Sequence, residues 1–444
     1  MTGHAPKRRS FLRDVMDVGA ARVIVLLATL GANVIIARTL GPEGKGAITA
    51  LTVVPFLIIT LAELGLRQAT TYHIGRKTFD AQTVVSTLIL LYLASSVIGV
   101  LICLIYFNIA WQPQFTVAAV IAATLFIPFG LMRNYTTGIF LGMEKVAVFS
   151  RVNWMPGVTQ LIVLGILALI GVISITGAVW AALIGVIVVA AYAARLVARE
   201  VRLTPIFDKD CIIAMLRLGG IFAVALFLIS LNYKINIFLL QYWSDLEQVG
   251  IYALGESIAE LIWQVPGTMS AVILSRSANA KNDAQFTERI GILLRLSVII
   301  GIIGATGLGI VSPVLIPLVF GAEFADSAQV LILLLPGIVA FVIFKILNVD
   351  LAGKGRPWVS MLVIIPALGL NAAAASFLIP AYGAEGAAIA CSISYLGTAA
   401  AFTVLYCRVT KTPLVDFVTP RMSDLDFLIQ KVPALRVLRP GARP

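Results

Sequence analysis

Long apolar runs alternate with short polar connectors along the whole chain. A run of about twenty apolar residues, rising about 1.5 Å per residue as a helix, crosses roughly 30 Å of hydrocarbon. The pattern predicts twelve such helices. They lie near residues 17–38, 45–64, 84–107, 115–140, 152–171, 176–195, 214–240, 249–274, 290–312, 327–350, 357–379 and 385–407.

Composition agrees with this pattern. Of the 444 residues, 60% are hydrophobic and 12% are charged, whereas a soluble domain has about 25% charged residues. The sequence therefore predicts an all-α integral membrane protein. The first apolar run is too long for a signal peptide and contains Arg22, so we interpret it as a retained first helix.

The basic residues follow a regular distribution. The net charge is +11, and most cations lie at the two termini or in the connectors that follow even-numbered runs. The connectors that follow odd-numbered runs hold only Arg38 and Lys45. By the positive-inside rule this places both termini in the cytoplasm and favours a membrane protein over a nucleic-acid-binding one. The connectors on the opposite side are short, which argues against an enzyme with an outer catalytic loop. With two histidines and no paired cysteine spacing, the sequence predicts neither cofactor nor metal site.

Glycines and prolines recur in the two halves of the chain. Four ordered pairs are separated by 204 to 211 positions: Gly46 and Gly250, Pro128 and Pro336, Gly142 and Gly353, Gly177 and Gly386. Because each half contains an even number of helices, the repeat predicts two parallel six-helix lobes that can enclose a cleft opening to either side.

The repeat sets the predicted domain organisation. An N-terminal lobe occupies 17–200 and a C-terminal lobe occupies 214–408. A basic N-terminus (1–16), a cytoplasmic connector (201–213) and a basic cytoplasmic tail (409–444) complete the chain.

Two segments carry a family resemblance: IARTLGPEGKGAITALTVVPFLIITLAELGLRQATTYHIGR (36–76) and LNYKINIFLLQYWSDLEQVGIYALGESIAELIWQVPGTMSAVILSR (231–276). They resemble the polysaccharide-biosynthesis (Wzx-type) flippases of the MOP exporter superfamily. The resemblance implies a MATE-like two-lobe fold in the bacterial cytoplasmic membrane. It implies translocation of a polyprenyl-diphosphate-linked oligosaccharide, with membrane lipids and polysaccharide polymerases or glycosyltransferases as partners. Relatives often carry an acid where Asn236 stands, so ion coupling through that position is in doubt.

The cations Arg22, Arg133, Lys234 and Lys345 lie inside predicted helices. Each costs roughly 2.5–3.5 kcal/mol at the centre of a span, so such residues are retained with partners, with water or for use. We predict that Arg22, Arg133 and Lys345 bind the diphosphate and that Asn33 contacts sugar hydroxyls. The alternative for these three cations is snorkelling to the inner surface.

Helical spacing adds detail to the predicted site. Arg22, Thr29 and Asn33 form one polar stripe that should face a cleft. Arg133 and Lys345 are near-equivalents in the repeat, and two facing cations would match a diphosphate. Glu63, close to the end of a span, is expected at the membrane interface, and so is Asp350.

Lys234 has two interpretations. It contacts substrate, or it forms a static ion pair with Glu256 or Glu260. Glu256, Glu260 and Gln264 are spaced at i+4, and the two glutamates are the candidate site for H⁺ or Na⁺ coupling.

Two rival functions remain open at this stage. One is a cation-coupled drug or small-molecule antiporter of the same superfamily, which needs acids to dominate the cleft. The other is a membrane scaffold in polysaccharide assembly that transports nothing.

Overall fold

The computed structural model describes residues 11–264, 267, 273, 277 and 283–414, and that part of the chain is helical. The predicted basic N-terminus up to residue 10 and the predicted tail from residue 415 lie outside the described residues. Eleven α-helices are present there: α1 (Phe11–Ala62), α2 (Leu66–Arg76), α3 (Ala81–Ile109), α4 (Val117–Gly142), α5 (Val146–Leu169), α6 (Ile175–Ala198), α7 (Lys209–Trp243), α8 (Leu246–Ala259), α9 (Asp283–Phe320), α10 (Asp326–Gly353) and α11 (Met361–Thr410).

The helices α1 and α11 are each broken at a glycine. Gly41 has φ 64° and ψ −171°, and Gly383 has φ 53° and ψ −127°. A side chain is disfavoured at positive φ, whereas glycine adopts it readily. Each break falls between two predicted runs, so α1 contains the first two runs and α11 contains the last two.

Over the described residues, nine helices are long and apolar enough to cross a membrane. The other two are α2 and α8. The predicted eighth run, 249–274, falls on α8 and a 3-10 turn at Glu260–Trp263, and it ends outside the described residues. The all-α, multi-pass membrane architecture is confirmed, whereas the count of twelve crossings stays a prediction.

The chain divides into two compact units. The first comprises Met1–Leu254, Val314–Ser327 and Ile379–Ala387. The second comprises Gly255–Pro313, Ala328–Leu378 and Ala388–Pro444. The lobes and connector drawn from the sequence repeat stay a prediction.

Within the first unit, α1 meets α8 through two glycines. A β-carbon on Gly46 would lie 1.7 Å from the carbonyl oxygen of Leu246, and one on Gly250 would lie 1.9 Å from that of Pro42. Any side chain would clash, so small residues set how closely these backbones approach. Gly46 and Gly250 are the first of the repeat-related pairs, and the fold places them against each other.

The second unit has an aromatic core. Phe341 lies 4.3 Å from Tyr395 and 4.8 Å from Phe344 between ring centroids, and Trp263 lies 5.7 Å from Phe341. Rings at these separations add specific packing to the burial of their surface. The core therefore gives α10 a rigid backing at the level of Phe341 and Phe344.

Candidate functional site

A buried carboxylate organises a polar cluster in the first unit. Glu63 follows the last residue of α1 and is 7% exposed. Its Oε1 lies 3.2 Å from Nε of Arg67, and its Oε2 accepts a hydrogen bond of 2.7 Å from Nδ2 of Asn134 on α4. The guanidinium Nη2 of Arg133 donates to Oδ1 of Asn134 at 3.4 Å. We call Glu63, Arg67, Arg133 and Asn134 the Glu63 cluster.

The backbone between α1 and α2 sets the geometry of this cluster. Gly65 adopts φ 63°, and a β-carbon there would lie 2.1 Å from the carbonyl oxygen of Gly219 on α7. Only glycine satisfies both demands. The sharp turn at Leu64 and Gly65 lets Arg67, one helical turn beyond Glu63, fold back onto the same carboxylate.

The Glu63 cluster has surplus positive charge. The cluster has two guanidinium groups and one carboxylate: Arg67 pairs with Glu63 directly and Arg133 is linked to it through Asn134. The buried Nε of Arg133 has no hydrogen-bond partner among the described residues. A planar guanidinium with spare donors binds phosphate oxygens in a bidentate manner. Chemically, the cluster can therefore accept an anionic group.

The second unit contains a carboxylate cluster that sequence reasoning missed. Asp350 is 0% exposed and accepts hydrogen bonds from Ser277 at 2.6 Å and from Tyr406 at 2.7 Å. Lys354 lies 2.8 Å from the same carboxylate and donates to Thr287 at 3.1 Å. We call these five residues the Asp350 cluster. In the sequence, its only signal is the i, i+4 spacing of Asp350 and Lys354.

The expectation that Glu63 and Asp350 lie at the membrane interface stays a prediction, but neither residue is exposed there. Both are buried, at 7% and 0% exposure. Proximity to the end of a span suggested access to water, but each carboxylate is enclosed by partners from other helices. Burial of a charge is tolerated when it is paired and hydrogen-bonded, and both groups meet that condition.

Asn33 has a partner that the sequence did not suggest. Nζ of Lys45 donates to Oδ1 of Asn33 at 2.7 Å, and the two residues are 9% and 8% exposed. The break at Gly41 folds the second half of α1 back, which brings together residues twelve positions apart. Lys45 was interpreted as a connector cation, but it is buried.

The polar stripe of α1 does not share one environment. Asn33 is buried, Arg22 is half-buried and Thr29 is exposed. A single helical face therefore meets protein in one place and the surroundings in another. The predicted role of Arg22 in substrate binding stays a prediction.

In the second unit, Lys345 on α10 lies over an aromatic ring. Its Nζ is 3.9 Å from the ring centroid of Trp263, and Trp263 is fixed by a 2.9 Å hydrogen bond from Nε1 to the carbonyl oxygen of Ile338. A cation over a tryptophan face is stabilised by the ring quadrupole. Arg133 and Lys345 belong to different units, so their predicted facing arrangement stays a prediction.

On α7, Lys234 is half-buried between two fully buried asparagines. Asn232 and Asn236 are each 0% exposed, and neither side-chain amide has a hydrogen-bond partner in the described part of the chain. The predicted pairing of Lys234 with Glu256 joins residues of different units and stays a prediction.

The glutamate row is less regular than its spacing suggests. Glu256 is buried, Glu260 is half-buried and Gln264 is exposed. The reason is local, because the α-helix becomes a 3-10 turn over Glu260–Trp263, and three residues per turn rotate successive side chains differently from 3.6.

The chain is similar to known proteins in sequence family and in fold. The family model described as "Polysaccharide biosynthesis protein" matches residues 11–274. No curated protein matches the chain. Among solved structures, the chain is similar to the lipid II flippase MurJ in an inward closed conformation, with a TM-score of 0.73 and 15% identity over 93% of this chain and 92% of that one.

Two other solved structures are similar. A multidrug resistance MATE family transporter of the MOP superfamily, in an inward-facing conformation, gives a TM-score of 0.73 and 16% identity over 89% of this chain and 98% of that one. A MOP superfamily transporter from Pyrococcus furiosus gives 0.63 and 13%, over 90% and 95%. At these identities the likeness shows a shared fold.

Proposed function

The chain belongs to the polysaccharide biosynthesis protein family and has the fold of the MOP exporters, and from that premise we propose that it translocates a polyprenyl-diphosphate-linked oligosaccharide. The head group passes from the cytoplasmic to the outer leaflet of the bacterial cytoplasmic membrane, while the polyprenyl tail stays in lipid. Both termini lie in the cytoplasm, and alternating access of two lobes moves the substrate.

The surplus cation of the Glu63 cluster carries the proposal. Arg67 pairs with the Glu63 carboxylate, Arg133 is linked to it only through Asn134, and Arg133 keeps a buried donor without a partner among the described residues. A diphosphate supplies the acceptor oxygens and the negative charge that this arrangement lacks. The substrate therefore binds at Arg133, and Glu63 holds Arg67 in place beside it.

Other polar residues extend the proposed binding surface. Arg22, Lys234 and Lys345 supply further positive charge along the path of the diphosphate. Lys345 rests on Trp263, which limits the orientations of its ammonium group. The carbonyl oxygen of Asn33 accepts from Lys45, so its amide group is the part that donates to a sugar hydroxyl.

The energetics allow transport without nucleotide hydrolysis. Each negative charge that moves outward along an inside-negative potential releases about 2.3 kcal/mol per 100 mV. Coupling to H⁺ or Na⁺ at Glu256 and Glu260 is a second source of energy. Under that hypothesis Glu256→Gln abolishes the dependence of transport on an ion gradient, and an unchanged gradient dependence would exclude this site.

The test is transport by the purified full chain in proteoliposomes. A fluorescent polyprenyl-diphosphate oligosaccharide is the probe, and a membrane-impermeant quencher reports its leaflet. Arg133→Gln should lower the initial rate about tenfold or more, because charge-assisted hydrogen bonds contribute about 1.5–3 kcal/mol each. Arg195→Gln is the matched control, since Arg195 is an exposed cation in the last turn of α6.

Three outcomes would overturn the proposal. Equal transport rates for wild type and Arg133→Gln would show that the diphosphate does not bind at the Glu63 cluster. A wild-type protein that leaves the probe in place but extrudes cationic dyes would establish the antiporter, which has the same fold. A protein that moves neither probe but restores surface glycan in cells would establish the scaffold.

A further inference from the structure

A groove opens on the first unit between α3, α4 and α6. Its volume is about 240 Å³, and its walls are apolar: Leu88, Ile89, Met132, Ile139, Val197 and Leu203. All three helices are candidate membrane spans. A groove of this kind, lined by hydrocarbon side chains and open between spanning helices, accepts a hydrocarbon chain.

A second cavity, with polar walls, lies next to the groove. It has a volume of about 610 Å³ and is lined by Gln82, Arg199, Arg202 and Thr204, among others. The two cavities share neighbouring residues at three points of the chain. Val197 of the groove precedes Ala198 of the polar cavity, Leu203 lies between Arg202 and Thr204, and Val85 lies one helical turn beyond Gln82. The two cavities are therefore adjacent, and together they offer a ligand an apolar end and a basic end.

The basic end is built by a fixed connector. The amide of Gln82 makes two hydrogen bonds with the backbone of Arg202, donating to its carbonyl oxygen at 2.7 Å and accepting from its N–H at 2.8 Å. This clamp holds the segment after α6 against the start of α3. The position of Arg202 therefore does not depend on contacts of its own side chain.

The two arginines of this end are available for a ligand. Arg199 and Arg202 are exposed, and no hydrogen bond or ion pair to either guanidinium occurs within the described residues. The neighbouring acid, Glu200, is engaged by Lys145 at 2.5 Å. The net charge offered to a ligand is therefore positive.

Exposed apolar side chains place this connector in the membrane interface. Leu203 and Ile206 are each 46% exposed and Phe207 is 75% exposed. Large apolar side chains beside arginines are typical of a segment that lies at the boundary between head groups and acyl chains. By the positive-inside rule this boundary belongs to the cytoplasmic leaflet.

We propose that this site binds an anionic phospholipid of the inner leaflet. The phosphate lies between Arg199 and Arg202, and one acyl chain enters the groove between α3, α4 and α6. Basic pockets between spanning helices on the cytoplasmic side favour such lipids. This inference goes beyond the proposed transport and does not depend on which substrate is carried.

The bound lipid would also pack against α4 beside the Glu63 cluster. Met132, Tyr135 and Thr136 line the groove, and Arg133 and Asn134, between them in the sequence, belong to the Glu63 cluster. The hydroxyl of Tyr135 donates to the carbonyl oxygens of Ala62 and Glu63 at 3.3 and 3.4 Å. An acyl chain against Tyr135 therefore packs on the helix segment that carries Arg133.

The experiment is native mass spectrometry of the purified full chain with added phosphatidylglycerol or phosphatidylcholine of identical acyl chains. Wild type should retain phosphatidylglycerol preferentially. The double variant Arg199→Gln/Arg202→Gln should bind it about tenfold more weakly and leave phosphatidylcholine unchanged, because only the charge contribution is lost. Arg408→Gln/Lys411→Gln is the control, since it removes two exposed cations at the end of α11.

A second variant tests the groove. Ala194→Trp fills the apolar end, which Ala194 lines, and should lower retention of both lipids while Arg199 and Arg202 remain. Arg199 and Arg202 are exposed, so the double variant Arg199→Gln/Arg202→Gln should fold normally. Equal phosphatidylglycerol binding by this variant and by wild type would overturn the proposal. Displacement of phosphatidylglycerol by equimolar decaprenyl phosphate would overturn it as well, because the site would then belong to a polyprenyl lipid.

Discussion

The Glu63 cluster and the Asp350 cluster contain similar residue types but differ in charge balance and access. Asp350 is fully buried, and one lysine, one tyrosine and one serine satisfy it. Glu63 is shared by two arginines, one of them indirectly through Asn134, and the side chain of Arg67 is 38% exposed.

This difference separates an anchor from a binding site. A closed, charge-balanced cluster holds helices together and offers nothing to a ligand. An open cluster with an extra cation and a donor that lacks a partner among the described residues has capacity left for an anion. Burial of a charge in a membrane protein is therefore not a sign of function until its partners are counted.

Asp350→Ala should give the largest effect on stability. It leaves Lys354, whose side chain is 13% exposed, without its counter-charge, and breaking a buried pair costs about 3 to 5 kcal/mol. The free energy of unfolding in mixed micelles measures this. Glu63→Ala should cost less than half as much, because Arg67 reaches water. Equal losses would contradict the distinction between the two clusters.

Tyr406→Phe should have the next largest effect. The Tyr406 hydroxyl donates to the Asp350 carboxylate at 2.7 Å, and a hydrogen bond to a charged group contributes about 2 kcal/mol. Tyr135→Phe is the matched change in the first unit. Its hydroxyl donates to backbone carbonyls at 3.3 and 3.4 Å, so we expect a loss of about 0.5 kcal/mol. The free energies of unfolding of both variants, measured under the same conditions, give the ratio of the two stability losses.

Glu63→Gln tests whether the charge balance of the Glu63 cluster controls substrate affinity. The substitution keeps an acceptor for Asn134 but removes the only negative charge of the cluster, which raises its surplus positive charge. We expect the apparent affinity for the lipid-linked probe to rise about fivefold, since a charge interaction screened by solvent contributes up to about 1 kcal/mol. Turnover should fall because release slows. Asp350→Asn is the control and should leave the affinity unchanged.

Arg67→Gln should give the smallest stability change. An ion pair with one partly exposed partner contributes about 0 to 1 kcal/mol and weakens with added salt. Unfolding measured at low and high salt reports this contribution. The corresponding Lys354→Gln change should cost more and depend less on salt. A large, salt-insensitive loss for Arg67→Gln would show that the Glu63 cluster is as closed as the Asp350 cluster.

The helices could be predicted because the relevant signal is local. Hydrocarbon thickness demands about twenty apolar residues in succession, and the chain provides them without reference to its fold. The break at Gly41, between the runs 17–38 and 45–64, was visible as the sequence Gly41-Pro42. Beyond Gln264, most of the predicted run 249–274 lies outside the described residues.

The partners of the charged residues could not be predicted in the same way. Asn134 is 71 positions from Glu63, and Tyr406 is 56 positions from Asp350. No periodicity relates such residues. Both carboxylates were therefore interpreted as interfacial from their distance to a helix end, whereas partners from distant parts of the chain enclose them. Lys45 was interpreted as a connector cation, whereas it is buried and bonded to Asn33 of the same helix.

The sequence by itself determined that this chain is a helical, multi-pass membrane protein, and it marked Arg133 as a cation inside a helix. Those conclusions follow from the cost of placing charge and unpaired backbone in hydrocarbon, which acts on each segment separately. Only the tertiary structure decided which charges are neutralised and which are left over. That outcome depends on hydrogen bonds of 2.6 to 2.7 Å between residues 56 to 73 positions apart in the chain, and a shift of one helical turn would change every partner.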